Sequence, residues 1–362
     1  MTWKIAEISA QVRHLASAEG FDLAGIASIG PHPELNGFQD WIEAGYHGEM
    51  TYLAAQNAEG ELKRAGLQNA APWARSVVVC AVNYNAPGPY STHAGESNEG
   101  WIARYAWPES DYHDVVLARL RKLESAIASL ASSATDEPFR SWCYVDTGPI
   151  VERVFAKYAG IGWIGKNACV LNEKLGSWLF LGVILTNLSL QADIPAADRC
   201  GSCTRCLDAC PTNAFLGPHQ LDATRCISYL TIEKRGEIPE ELRPQMGRHV
   251  FGCDICQDVC PWNRKAPFGT MPELHPKPER INPALEWLAG MDLEGFREVF
   301  RHSPVKRAKL SGLKRNVAMA IGNSGDRSLL DAAKLLANDP DPLVAEHGRW
   351  AVQRLNEISV EE

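Results

Sequence analysis

Apolar and polar positions alternate between two rhythms over residues 1–195. Ile5–Ser17 repeats at helical spacing, while Asp22–Ile29, Ser76–Tyr84 and Trp178–Thr186 are short apolar runs of strand length. Helix alternating with strand predicts an α/β domain over 1–195. The longest apolar stretch, Trp178–Leu190, includes Thr186, Asn187 and Ser189 and is too short to span a bilayer, so it reads as a buried strand. Glu152–Ala159 (ERVFAKYA) is helical in pattern, with Val154 and Tyr158 on one face. Residues 196–265 are cysteine-rich and look inserted, like a ferredoxin. The Pro-rich passage Pro267–Pro283, with Pro272, Pro276 and Pro278, marks a connecting segment over 266–299. Residues 300–362 form a helical tail. There Leu313–Asn323 lines up with Val344–Arg354 at a period of 31 residues, bringing Ala320 onto Ala351. Helical repeats of the HEAT kind behave this way, and two units must pack their apolar face on the rest of the protein. The expected class is a multidomain α+β and α/β protein.

The cysteines add chemistry to this outline. Seven of the eleven fall in the runs Cys200-x2-Cys203-x2-Cys206-x3-Cys210-Pro211 and Cys253-x2-Cys256-x3-Cys260-Pro261, and an eighth, Cys226, lies between them. The first run has bacterial ferredoxin spacing, in which the fourth cysteine serves the other cluster. Cys200, Cys203, Cys206 and Cys260 then hold one [4Fe–4S] cluster. The second run lacks a leading cysteine, since Val250 stands there, and Cys226 completes Cys210, Cys253 and Cys256. Paired C-x2-C units also hold structural zinc, and that alternative stays open here, although the ligand count and both prolines favour clusters.

The chain is 362 residues long, 45% hydrophobic and 22% charged, a globular balance, and its opening MTWKIAEISAQVRHLASAEG has no basic region leading into an apolar run. A cytoplasmic protein with no membrane partner is expected, in keeping with its thiolates and with Cys80, Cys143 and Cys169 outside the cluster set. The net charge is −8, yet Arg301–Asn323 holds Arg301, Lys306, Arg307, Lys309, Lys314 and Arg315 and no acidic residue. A solvated helix face explains such a run; a nucleic acid partner would instead set its phosphates against several of these side chains.

Two further patterns need weighing. Gly160-Ile-Gly162-Trp-Ile-Gly165 matches the dinucleotide fingerprint G-x-G-x-x-G, but a helix precedes it where a strand is required. Gly165-Lys166 is followed by Asn167, which excludes a P-loop. Upstream, Asp146 ends an apparent strand beside Gly148-Pro149. Facing an apolar pocket it would have a raised pKa and serve as a general acid. Alternatively it caps the helix starting near Pro149 or pairs with Arg153.

Taken together, VDTGPIVER, AGIGWIGKNACVL, CGSCTRCLDACPTNAF and FGCDICQDVCPWN, in this order, resemble epoxyqueuosine reductase over nearly the whole chain. The resemblance implies a cobalamin-dependent enzyme that reduces epoxyqueuosine to queuosine at the wobble base of tRNA, the last step of queuosine biosynthesis. It implies a cobalamin-binding core, a ferredoxin-like two-cluster module and a helical-repeat tail that grips the tRNA, for which Lys306, Lys309, Lys314 and Arg315 are the candidates. Asp146 would protonate the departing oxygen, and Arg153 would hold that carboxyl or a phosphate. Tyr105, Lys166, Asn167, Cys169, Ser228, Cys253 and Asp254 carry over as pocket residues. Asp111-Tyr112-His113 begins like the cobalt-ligating D-x-H-x-x-G but ends in Val116, so base-off cobalamin without a protein histidine is expected. Residues 60–75 depart from the family's wording. The partners implied are tRNA and a low-potential electron donor such as a flavodoxin, a ferredoxin or a reduced flavin, with the chain a monomer. A reductive dehalogenase, a plain electron carrier and a zinc-holding RNA-binding protein are the rival readings.

Overall fold

The computed structural model describes residues 2–93, 95–132 and 137–357. At its centre lies a four-stranded sheet in the order Leu23–Ser28, Ser76–Asn83, Leu179–Thr186, Ser141–Tyr144. All eight residues of Ser76–Asn83 are buried, because this strand is covered on both faces. Its period of two sends Val78, Cys80 and Val82 to one side, where they meet Val12, Val116, Leu120 and Ile127 of the helices Thr2–Ala18 and Tyr112–Ser132. Val77, Val79 and Ala81 pack on the other side with Val154 and Phe155 of the helix Glu152–Tyr158. Each such valine contributes roughly 1.5–3 kcal/mol by leaving water. Gly25 admits the end of that helix: a Cβ there would lie 2.0 Å from the Ala159 carbonyl oxygen.

Mixed helix and sheet content was expected, and so was the buried strand at Trp178–Leu190. The direction of the strands differs from the α/β reading. Every neighbouring pair in this sheet is antiparallel, so the alternation of helix and strand makes no βαβ crossovers. Apolar periodicity reports burial and carries no information about strand direction.

The connecting segment is also more than a connector. It folds into the helices Leu285–Ala289 and Leu293–Phe300, whose Leu285, Leu288, Phe296 and Phe300 enter one core with Ile102, Val250, Phe251 and the tail. The tail helices are Lys309–Ser324, Leu330–Ala337 and Pro342–Glu357. The two echoing segments lie in the first and last of these, and Leu313, Ala320, Val344 and Ala351 are all fully buried in the shared core. Residues 358–362, the end of the expected tail, lie outside the described residues. No helix among the described residues is long and apolar enough to cross a membrane.

A short parallel pairing joins Trp101–Ile102 to His249–Phe251. His249 is buried there, with Nδ1 2.9 Å from the Met246 carbonyl, and burial lowers its pKa to about 4. An unfolded histidine takes up a proton near pH 6.5, which the folded one refuses. The resulting stability is therefore present above that pH and lost as pH falls toward 4, up to about 3 kcal/mol. Urea midpoints measured at pH 7 and pH 5 should show the fall, and His249→Leu should make it shallower.

Candidate active site

None of the eleven cysteines is paired in a disulfide. Two single-turn helices, Arg205–Asp208 and Ile255–Asp258, bring the two cysteine runs side by side. The thiols sort into two neighbourhoods by their influence on one another. Burial raises Cys206, with Cys200 and Cys203 adding to it, and burial pushes Cys260 up to about 11, with Cys206 and Cys200 adding. Burial likewise raises Cys226, which lies near Cys210, and Cys253, which lies near Cys226 and Cys210. Cys256 is raised by a hydrogen bond with Cys169, then by burial and by Cys253 and Cys226. Burial disfavours the thiolate at Cys206, Cys226, Cys253 and Cys260, a cost that a metal ligated by these sulfurs would offset.

Donors to sulfur fit each neighbourhood for an iron–sulfur cluster. Trp163 Nε1 donates to Cys200 Sγ at 3.4 Å, and the Ala214 amide donates to Cys210 Sγ at 3.4 Å. Trp163 sits in the glycine-rich stretch, which is a hairpin pairing Trp163–Ile164 with Val170–Leu171. Gly162 is required for close approach, since a Cβ would lie 2.1 Å from the Leu171 carbonyl oxygen. The motif thus packs against the Cys200 loop and makes no dinucleotide turn.

Lys166 does not reach the Asp146 neighbourhood: its Nζ donates to the Gly201 and Cys203 carbonyls at 2.7 and 2.9 Å. Asn167 donates to the Cys256 carbonyl at 3.3 Å and accepts from the Cys169 amide at 3.2 Å, bracing the second neighbourhood. The Ser228 and Tyr229 amides face the Cys226 sulfur. Asp254 accepts from the Arg104 amide at 2.6 Å, and burial with nearby Asp258 pushes its carboxyl up to about 7. Tyr105 links this region to Asp146. Burial raises its hydroxyl far above the usual range, and Asp146 and Asp254 both add to the rise, so the two carboxyls lie near the same phenol.

Asp146 itself has φ 56°, in the left-handed region. Its Oδ2 accepts from Tyr112 Oη at 3.1 Å and lies 4.0 Å from His113 Nε2. The carboxyl is 70% exposed, so the chain does not close an apolar pocket over it. Nor does it cap the Glu152 helix, whose N-cap is Val151 with no side-chain cap. Arg153 turns away as well, donating to the Ala168 carbonyl at 2.6 Å, because that carbonyl follows directly from the hairpin beside it.

Sequence reasoning missed several groups around Asp146. Asp111 Oδ1 lies 2.7 Å from His113 Nδ1, and its Oδ2 lies 2.8 Å from Lys306 Nζ. Burial would raise the Asp111 carboxyl, but the bonds to His113 and Lys306 outweigh it and hold the group well below the carboxylate range. Glu152, inside the VDTGPIVER motif, is pushed up to about 7 by burial and then by Asp146, and its Oε1 has no hydrogen-bond partner. The Asp-Tyr-His triplet was the available signal for the first group.

The basic run of the tail divides. Lys306 pairs with Asp111, and Lys314 pairs with Asp339 at 2.9 Å with side chains only 16% and 11% exposed. Lys309 is exposed and, among the described residues, has no carboxylate partner. Arg315 is 0% exposed, which corrects its reading as a phosphate contact. Its guanidinium donates to the carbonyls of Leu230, Lys234 and Gly236 at 2.7–2.8 Å, at the end of the helix Ile227–Ile232 that begins beside Cys226. Cations are favoured at such helix ends. Burial pulls its pKa down to about 10. Asn316 donates to the Thr231 and Val250 carbonyls beside it, both at 2.9 Å. Arg315→Leu should strand these carbonyls and destabilise the fold by on the order of 3 kcal/mol. A urea titration and iron retention would check this.

Comparison with known proteins adds to the geometry. Residues 199–263 match the 4Fe-4S double cluster binding domain family, and residues 64–147 match the family described as Epoxyqueuosine reductase QueG, DUF1730. The chain is 39% identical over 357 residues to the epoxyqueuosine reductase of Pseudomonas aeruginosa, covering 97% of this chain and 96% of that protein. Against the Escherichia coli K12 epoxyqueuosine reductase the identity is 35%, covering 96% and 89%. Among solved structures, a selenomethionine-labelled epoxyqueuosine reductase superposes with a TM-score of 0.85 at 31% identity, covering 98% of this chain and 95% of that one. An epoxyqueuosine reductase holding an epoxyqueuosine-modified stem loop of tyrosine tRNA superposes with 0.84 at 31% identity, covering 98% and 94%.

Proposed function

This chain belongs to the epoxyqueuosine reductase family and is an oxidoreductase, and from that premise we propose that it reduces epoxyqueuosine to queuosine at the wobble position of tRNA. The observation that carries the reading is Tyr105, whose ring lies 6.0 Å from that of Tyr112, the donor to the candidate acid Asp146, and whose phenol is within electrostatic reach of Asp254 in the second cysteine neighbourhood. An electron route and a proton source meet there.

The two thiol neighbourhoods, each with an N–H donor to sulfur, suit two [4Fe–4S] clusters. The Asp146 carboxyl is open to a ligand, and Tyr105, Ser228, Cys253 and Asp254 are the residues that would hold cobalamin beside it. His113 has its Nδ1 held by Asp111 and its Nε2 4.0 Å from Asp146 Oδ2, which directs the ring at the candidate acid. The clusters would supply single electrons from a low-potential donor, and cobalamin the pair that removes the epoxide oxygen.

The chain's own residues manage the protons. Loss of the oxygen as water needs two protons beside the two electrons. Asp146 gives one to the departing oxygen, so that hydroxide need not leave. Tyr112 Oη holds the carboxylate through Oδ2. Asp111, fixed by Lys306, orients His113 so that Nε2 can return a proton to Asp146.

The test is an anaerobic assay of reconstituted protein on epoxyqueuosine tRNA with cobalamin and a strong reductant. Queuosine should form only with cobalamin present, and the protein should carry about eight irons. A sample that binds iron and cobalamin yet leaves the tRNA unchanged would overturn the proposal.

A further inference from the structure

The strongest unassigned feature near Asp146 is an exposed aromatic between two cations. Tyr52, in the single turn Thr51–Ala54, is 43% exposed. The Arg64 and Arg307 guanidiniums lie 5.7 and 5.6 Å from its ring centroid, near the outer limit of cation–π contact, so the ring is flanked and not sealed. Tyr52 is also within electrostatic reach of Asp146. Arg64 donates to the Tyr52 carbonyl at 2.7 Å and to the Gly148 carbonyl at 2.6 Å, so one guanidinium ties the ring's segment to the loop carrying Asp146. Among the described residues Arg64 has no carboxylate partner. Arg307 is steadied by Glu233 at 2.6 Å, and its carbonyl accepts from Arg235 at 2.8 Å. Two cations from separate stretches of the chain therefore flank one aromatic face, and Arg64 joins it to the loop of the candidate acid.

A partly exposed tyrosine ring flanked by two guanidiniums presents an apolar face beside positive charge. The arrangement suits a ligand that is flat, apolar on its faces and joined to anions. An unpaired nucleobase with its flanking phosphates has this chemistry, and single-stranded RNA is recognised by stacking on tyrosine and by arginine contacts to phosphate.

We propose that Tyr52 is a stacking platform for a base of the single-stranded loop adjacent to the nucleotide being reduced, with Arg64 and Arg307 facing the phosphates beside that base. This inference rests on the tRNA reading above and deepens it. The platform sets the register of the loop, and Arg64 transmits that register to the loop of Asp146.

The test compares Tyr52→Ala, Tyr52→Phe and Tyr52→Trp in the cluster-loaded, cobalamin-bound enzyme with an epoxyqueuosine stem loop. The alanine variant should bind the stem loop roughly tenfold more weakly and raise KM in proportion, with kcat little changed, whereas the two aromatic variants should keep wild-type affinity. Arg307→Gln should lower the salt slope of binding by about 0.7. Replacing one neighbour of the modified nucleotide by an abasic residue should abolish the difference between wild type and Tyr52→Ala. Unchanged affinity in Tyr52→Ala overturns the platform, as does a variant that loses cobalamin and not RNA. Wild-type protein that fails to reduce the stem loop would instead count against the proposed function, so the two failures are told apart.

Discussion

Asp146→Asn should lower kcat on epoxyqueuosine tRNA by roughly a hundred- to ten-thousandfold, with iron content and tRNA affinity unchanged. Asparagine is the informative replacement for two reasons. Asp146 holds φ 56°, a conformation that asparagine tolerates and alanine resists, so the loop keeps its shape. The amide oxygen can still accept from Tyr112, so the variant loses a titratable proton and little else. The pH profile adds a second readout. If Asp146 is the acid, the residual rate of the variant should lose the ionisation that wild type shows. Full turnover in the variant would remove Asp146 from the mechanism without touching the family assignment.

Cys210→Ala should halve the iron, from about eight to about four atoms per chain, and abolish turnover. The residue is chosen because contiguity in sequence and closeness in space disagree about it. It ends the run Cys200–Cys210, yet its sulfur neighbours Cys226 and Cys253. The cluster lost should therefore be the one nearer Asp254, and Cys260→Ala should instead strip the one held with Cys200, Cys203 and Cys206. The spectrum of the remaining cluster distinguishes the two variants. A residual spectrum in Cys210→Ala matching that left by Cys203→Ala would show that the fourth ligands are not exchanged between the runs.

Some of this architecture was legible because the signal is local. Trp178–Leu190 reads as a buried strand since both of its faces are covered, and a continuous apolar run is what such a strand requires. The helix at Glu152–Ala159 was legible from Val154 and Tyr158, and its place before the glycines ruled out a nucleotide turn. Strand direction was not legible, because antiparallel and parallel neighbours bury the same side chains. Arg315 was misread for a related reason. A basic residue in a basic helix gives no sign that the carbonyls of Leu230, Lys234 and Gly236 await it. The Asp111, His113, Asp146 and Lys306 group was invisible for want of proximity in sequence, although the Asp-Tyr-His triplet marked one corner of it.

The way Arg315 and Asn316 are seated has a consequence for engineering. Both side chains fill bonds that belong to the backbone beside Cys226 and to the strand before Cys253. The helical end of this chain is therefore no detachable cassette. A chimaera that swaps it for a homologue's must transplant the bend at 230–236 along with it, and a chain stopped before residue 309 would be left with an iron-binding half that has lost its keystone.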